Sequence, residues 1–296
     1  MITQPTVLIL GAGASMPYGF PSGPQLVEQI LLSASGAEWD RDFPSYGNSK
    51  FTAFGKALRN SGQLSIDAFL KYRNDLSDIG KLAIARILLP LENHNTLLAN
   101  CDDHWYKYLF RQMDCPLKDF ARNQIAFITY NYDRSLEHFL TTALANTHGT
   151  SPANCWDIVK QLKIIHLHGK LGEYKYGDYP SLGSGRTYVN THLPAEITSA
   201  AKSIRIIHEG SSADPALVEA RECLANASRV CFLGFGFDSV TTARLCGDGW
   251  TKNKHIFASA YGMSINEKAE VDTHIKQIQF SDAKCLQMLR DHFRLY

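Results

Sequence analysis

The sequence predicts an α/β protein built on a mostly parallel sheet, with helices on both faces and a helical insertion. Three observations predict it. A β-branched and leucine run, Thr6-Val7-Leu8-Ile9-Leu10, stops on a glycine turn, Gly11-Ala12-Gly13-Ala14-Ser15, the pattern of a first parallel strand entering a phosphate-binding turn. Further apolar strand candidates recur and alternate with helical patterns, as βαβ units do. Polar or glycine residues stand where those strands end, and an open parallel sheet binds its ligands there.

The elements follow in chain order. After the first strand, Gln25–Leu32 reads as a helix with Leu26, Ile30 and Leu31 as its apolar positions. Residues 65–90 carry helical spacing through Ile66, Phe69, Leu70, Leu76 and Ile79. Residues about 36–120 hold only helices and loops, which predicts a helical insertion between the first and second strands. The Phe and Tyr residues of 105–110 read as core. The second strand is Ile125–Thr129, followed by a helix over Asp133–Leu144, and the third is Lys163–Leu167. Residues about 172–203, rich in Gly, Tyr, Ser and Pro, read as a long loop or lid. A weaker strand follows at Ile204–Ile207. The Pro215–Ala227 helix opens with Asp214 as N-cap and Pro215 at its first position. A strong strand, Arg229–Phe235, and a weaker one, His255–Ala258, come next. The Ile265–Ile275 helix opens on a Ser264/Glu267 capping box, and Ala283–Phe293 closes the chain as a helix. This is a Rossmann-like arrangement, read as a single domain over 1–296.

Composition narrows the function classes. With 30 Lys+Arg against 29 Asp+Glu, the chain lacks the basic footprint of a dedicated nucleic-acid binder. The seven cysteines are scattered and none forms a Cys-x-x-Cys pair, so no structural zinc or redox motif is expected. They read as reduced thiols. No apolar run approaches the roughly 18 residues of a membrane helix, and the amino terminus has no signal-peptide pattern. The expectation is a soluble, cytoplasmic protein.

The glycine turn points to a nucleotide but not to hydride transfer. A dinucleotide fingerprint needs a third glycine where Met16 stands, and no acidic strand end follows about 20 residues on. An ordinary NAD-dependent oxidoreductase is therefore not supported. The other strand ends read Thr129-Tyr130-Asn131-Tyr132-Asp133, His166-Leu167-His168-Gly169 and Gly234-Phe235-Gly236-Phe237-Asp238. Each residue also has a structural reading. Gly11, Gly13, Gly234 and Gly236 allow tight turns or close backbone approach. Asn131 suits a turn, Asp133 suits a helix N-cap, and His168 suits a backbone hydrogen bond. His166 alternates onto the face of His168, but a His-x-His pair without a third ligand predicts no metal site.

In family order, these pieces resemble the sirtuin (Sir2) family, and more closely its SIR2-like branch in bacterial anti-phage systems. Gly11-Ala12-Gly13-Ala14-Ser15 and Gly19-Phe20-Pro21 resemble the family's Gly-Ala-Gly-x-Ser and Gly-Ile-Pro. Thr129-Tyr130-Asn131-Tyr132-Asp133 resembles Thr-Gln-Asn-Ile-Asp, and Leu167-His168-Gly169 resembles its catalytic Leu-His-Gly. Gly234-Phe235-Gly236 occupies the place of the later glycine–serine loop, and Tyr261-Gly262-Met263-Ser264 falls where the adenosine end closes. The resemblance spans about residues 7–270.

The resemblance implies NAD as substrate, with His168 as general base and Asn131 orienting a ribose hydroxyl and the attacking water. Asp133 would hold a ribose hydroxyl or position Asn131, and the Gly11–Ser15 turn would hold the pyrophosphate. The implied NAD-binding set is Gly11, Ala12, Gly13, Ser15, Pro21, Thr129, Asp133, Gly234, Gly236 and Tyr261. The departures are informative. The family's zinc module of two Cys-x-x-Cys pairs is missing, so no zinc is expected. Ser22 and Gly23 stand where deacylating members carry Asp-Phe. The expected activity is therefore hydrolysis of NAD to nicotinamide and ADP-ribose in anti-phage defence, restrained in the resting state and controlled by homo-oligomerisation or a separately encoded partner protein. A silent NAD- or ADP-ribose-binding module and a zinc-less deacylase are the competing readings.

Overall fold

The computed structural model describes residues 1–34, 38–177, 185–206, 214–246, 250–293 and 295. Its centre is a six-stranded sheet in the order β3-β2-β1-β4-β5-β6. The strands are β1 (Thr6–Leu10), β2 (Ile125–Thr129), β3 (Lys163–His166), β4 (Arg229–Leu233), β5 (His255–Ser259) and β6 (Ile278–Ser281), and every pairing among them is parallel. This is the Rossmann-like arrangement the sequence predicts. β1 pairs with β2 on one side and β4 on the other. The chain builds outward to β3, then returns across β1 to build β4, β5 and β6. The strand order therefore reverses between β1 and β4, and a crevice opens beyond the carboxyl ends of these two strands.

β1 is buried over its whole length, as a central parallel strand must be. Its side chains alternate between two cores. Leu8 and Leu10 join Phe127 and the helices lying between β1 and β2, whereas Val7 and Ile9 join Ile128, Leu217, Ala220 and Leu224 on the opposite face. The described elements between β1 and β2 are all helical. Of the aromatic residues expected in the core, Tyr106 is buried and Tyr108 and Phe110 are half-buried against it. Tyr106 and the buried Trp105 tie this layer to the glycine turn: Trp105 Nε1 donates to Ala14 O at 2.8 Å, and Tyr18 Oη accepts from Tyr106 N at 2.9 Å.

Several expectations need correction. The single helical pattern over 65–90 is broken into Ile66–Tyr72 and Ser77–Leu88 by a short 3-10 turn. The helix expected from Asp133 starts at Ser135 and runs to His148. Strand β4 stops at Leu233, because Gly234 turns into the left-handed region at φ 55°. Ile204 forms an isolated antiparallel bridge with Gly169 rather than a strand; its apolar neighbours are apolar because Ile204 and Ile206 are buried in the core, and Ile207 lies outside the described residues. Within 172–203, Pro194–Ala201 is a helix and 178–184 lie outside the described residues. Strand β6 has no counterpart in the sequence reading: only four residues long, with Gln279 exposed, it carries almost no apolar run. The Asp214 and Ser264 caps form as expected. No helix among the described residues is long and apolar enough to cross a membrane.

A buried ion cluster clamps the helical layer to the β2 end of the sheet. Glu92, fully buried, receives Arg134 Nε at 2.9 Å and Arg134 Nη2 and Arg186 Nη1 at 2.5 Å. Arg134 also donates to Arg186 O and Thr187 O.

The turn after β4 packs backbone against backbone on the turn after β1. A β-carbon on Gly234 would lie 2.2 Å from Ala14 N, and one on Gly13 would lie 2.7 Å from Gly234 Cα. Gly234→Ala is expected to cost about 3 kcal/mol or more in urea denaturation, from clash and left-handed backbone strain together. Gly236→Ala, with open space around the added carbon, is expected to stay within about 0.5 kcal/mol of wild type. Equal stability of the two variants would contradict this packing.

Candidate active site

The crevice at the β1/β4 switch point is a cavity of about 1190 Å³, above the roughly 300–1,000 Å³ of ordinary small-molecule pockets. Its walls include the turn after β1, the loops after β2, β3, β4 and β5, and the Ile66–Tyr72 helix of the layer between β1 and β2. Gly11, Ala12, Gly13, Ser15, Pro21, Asn131, Asp133, His168, Gly234, Gly236 and Tyr261 all line it. Thr129 does not. It is buried, and its Oγ1 accepts from Asn131 N at 3.0 Å, so it supports the loop behind the wall.

The turn after β1 is organised differently from a simple phosphate cradle. Gly11 N donates to Leu233 O and Gly13 N to Gly234 O, each at 3.0 Å. These glycine amides hold the two loops together. The helix that follows the turn has only four residues, Ala12–Ser15, so its dipole contribution is small.

Asn131 is fixed by this turn. Its Nδ2 donates to Gly11 O and to Ser15 Oγ, both at 2.9 Å. With both amide protons committed, Oδ1 is the polar group the side chain offers to a ligand. Ser15 Oγ in turn donates to Asp133 Oδ2 at 2.8 Å. Asp133 Oδ1 accepts from Ser135 N at 3.0 Å and from the Ser135 hydroxyl, whose oxygen contacts Tyr106 Oη at 2.8 Å. Burial pushes the Asp133 carboxyl above its ordinary range, against the hydrogen bonds from Ser135 and Ser15. Asp133 is therefore a buried brace for Ser15 and Asn131. The cap it provides is the Ser135 contact at the start of the Ser135–His148 helix.

His168 and His166 serve different walls. His168 lines the cavity, with Tyr130 edge-on at 5.0 Å between ring centroids and Tyr132 at 6.1 Å. The turn that carries it is pinned from below: Arg205 N donates to His168 O at 2.8 Å. Gly169, at φ 67°, packs where a β-carbon would sit 2.1 Å from Ser203 O. His166 does not line the cavity. Its Nδ1 meets Asn131 O at 3.0 Å and its Nε2 meets Glu137 Oε1 at 2.9 Å, with both side chains buried. It braces the Asn131 loop from behind.

Sequence reading missed Asp67. This carboxylate, in the first turn of the Ile66–Tyr72 helix, lines the cavity. Its Oδ1 accepts from Tyr132 Oη at 2.6 Å and lies 4.0 Å from His168 Nδ1. An acidic residue in a first helical turn reads simply as a dipole complement, so its sequence position carries no site signal. Ser22 caps the Gly23–Ser33 helix in a capping box with Gln25. Tyr261, largely exposed at the far end, lies under Lys284 Nζ, 5.4 Å from its ring centroid. Among the described residues, no group of three or more His, Cys, Asp or Glu is placed to hold a metal ion, and no described residue of 172–203 lines the cavity.

No protein-family model and no curated protein matches the chain. Among solved structures it is similar to one described as the structural basis of sirtuin substrate affinity (TM-score 0.41, 16% identity, 96% of this chain and 91% of that one). It is also similar to Sir2 in complex with an inhibitor, 2′-O-acetyl-ADP-ribose and a deacetylated peptide (0.40, 15%, 96% and 90%), and to Sir2Tm bound to a propionylated peptide (0.38, 15%, 96% and 90%).

The His166–Glu137 pair gives a pH-dependent test of the bracing. Burial alone would raise the Glu137 carboxyl. The His166 charge and hydrogen bond, with Lys170 beyond, overcome this and hold it below its ordinary 4.5. A depressed carboxylate stabilises the fold above its unfolded value, and that stabilisation is lost as pH falls through the folded value. His166→Ala, which strands the buried carboxylate, is expected to cost about 3 kcal/mol at neutral pH. The penalty should begin to fade above pH 4.5, where the unpaired carboxyl of the variant takes up a proton, and go on fading below 4.5 as the wild-type pair is lost. A penalty independent of pH in urea denaturation would contradict the pairing.

Proposed function

We propose that this protein hydrolyses NAD to nicotinamide and ADP-ribose. The observation that carries the reading is Asn131, whose two amide protons are held by Gly11 O and Ser15 Oγ in the cavity that His168 also lines. A side chain anchored through its donors presents a fixed acceptor, Oδ1, at the edge of a crevice beyond the carboxyl ends of the strands.

The pyrophosphate lies against the Gly11–Ser15 turn and the Gly234–Gly236 loop, the adenosine end reaches Tyr261, and the nicotinamide ribose sits beside Asn131 and His168. Departure of nicotinamide leaves an oxocarbenium-like ribose, as in glycoside hydrolysis. Asn131 Oδ1 accepts from a ribose hydroxyl or the attacking water and so holds it in line. His168 takes the proton of that water, a contribution of roughly 10²–10⁴-fold for a placed base. The products are nicotinamide, ADP-ribose and a proton. Asp133 and Ser15 keep Asn131 in place.

The biological setting we assign, depletion of NAD during phage infection, rests on the sequence resemblance to SIR2-like defence proteins. Activity that depletes NAD must be restrained in a resting cell, and we assign its release to oligomerisation or to a separately encoded partner, the lone monomer being inactive. The absence of the zinc-module cysteines and the capping role of Ser22 favour hydrolysis over deacylation.

Product analysis by mass spectrometry tests the reading. Wild-type protein is expected to release nicotinamide and ADP-ribose from NAD. Asn131→Ala and His168→Ala are each expected to lose at least about 10²-fold in rate while keeping the wild-type circular dichroism spectrum. Saturable NAD binding without product, at high protein concentration and with the partner present, would overturn hydrolysis in favour of a binding module. Full activity of a dilute monomer would overturn the proposed restraint.

A further inference from the structure

The imidazole of His168 faces a carboxylate that belongs to a different layer of the protein. Asp67 Oδ1 lies 4.0 Å from His168 Nδ1, with side-chain exposures of 15% for Asp67 and 8% for His168. The same oxygen accepts from Tyr132 Oη at 2.6 Å. Tyr132 stands directly after Asn131. The carboxylate therefore touches both halves of the site, His168 by charge and the Asn131 loop by a hydrogen bond.

We propose that Asp67 is the positioning residue for His168, an inference that rests on reading His168 as the base. A carboxylate beside Nδ1 favours the tautomer with its proton on that nitrogen, which leaves Nε2 as the basic one. When His168 takes the proton of the attacking water, the resulting imidazolium sits at ion-pair distance from Asp67. Asp67 itself takes no proton, and the imidazolium later releases its proton to solvent. This is the third-group role that orients a base in other hydrolases. Here the orienting group comes from the helical layer between β1 and β2, so a shift of that layer changes the base without touching the sheet.

The elements that carry His168 and its ring neighbours bring further charged or titratable groups of mixed type to the cavity. On the Ile66–Tyr72 helix, Lys71 lines the same cavity one turn beyond Asp67. The loop after β2 contributes Tyr130, Tyr132 and the braced Asp133, and the loop after β4 contributes Asp238. Arg205 bonds to the His168 backbone through its own backbone, and its side chain reaches Asp214. Asp67 lies at ion-pair distance from the ring.

The test compares Asp67→Asn with Tyr132→Phe. Asp67→Asn keeps an oxygen for Tyr132 Oη but removes the charge, whereas Tyr132→Phe keeps the charge and removes the hydrogen bond. The His168 imidazole is titrated by ¹⁵N NMR in each full-length protein, its signals assigned by their loss in His168→Gln. NAD kinetics are measured across the same pH range. Asp67→Asn is expected to lower the His168 midpoint by about 1 pH unit. It should also reduce kcat by about 10–100-fold, within the range of a placed base, with little change in KM and with the acid limb of the rate profile moved to lower pH. Tyr132→Phe is expected to leave the midpoint in place. An unchanged midpoint in Asp67→Asn, or an equal shift in Tyr132→Phe, would overturn the proposal. If wild-type protein leaves NAD intact, the hydrolase reading fails while the NMR comparison still decides whether Asp67 controls His168.

Discussion

The site depends on a contact with no side chains in it. The turns after β1 and β4 meet backbone to backbone, with Gly11 and Gly13 donating to Leu233 O and Gly234 O. A β-carbon at Gly11, Gly13 or Gly234 would fall within 2.7 Å of the opposing main chain, inside any allowed approach. This closeness brings the two glycine loops to one edge of the cavity at the point where the sheet reverses direction. The same contact fixes the carbonyl of Gly11, and Asn131 reads its own position from that carbonyl. A polar side chain with its donors tied down has one orientation left to offer, which is what a catalytic acceptor needs.

Around that contact the protein places its polar groups in two tiers. Asn131, His168 and Asp67 line the cavity. Asp133 lines it as well, and behind these residues the side chains of Thr129, Ser135, His166 and Glu137 are buried and bonded to one another, to Asp133 or to the backbone. Further back, the Glu92–Arg134–Arg186 cluster joins the helical layer to the residue that follows Asp133. Buried charges are costly unless paired. Their pairing here makes the position of the helical layer, and hence of Asp67, dependent on the loop that carries Asn131.

Much of the sheet was legible because central parallel strands are continuous apolar runs, as in β1, β2 and β4. Edge and short elements were not. β6 alternates burial over four residues, and Ile204 is apolar for packing reasons that a strand template mistakes for pairing. The candidate site was legible to the extent that its residues sit at strand ends: Asn131 and His168 were read there and line one cavity. Their roles were less legible. Asn131 was expected to use donor and acceptor alike, but the glycine turn takes its donors. Thr129, read as a binding residue, is buried and does not line the cavity. Asp67 was invisible, because its partner Tyr132 lies 65 residues away in sequence and only the packing of the helical layer brings them together.

The central claim is that one cavity at the β1/β4 reversal binds NAD with its nicotinamide ribose beside Asn131 and His168. A crystal structure of the protein with ADP-ribose tests it most directly. The account predicts adenine toward Tyr261, the pyrophosphate along the Gly11–Ser15 and Gly234–Gly236 turns, and the terminal ribose within hydrogen-bond reach of Asn131 Oδ1. A ligand bound elsewhere, or bound here with its adenine end against Asn131 and His168, would contradict it.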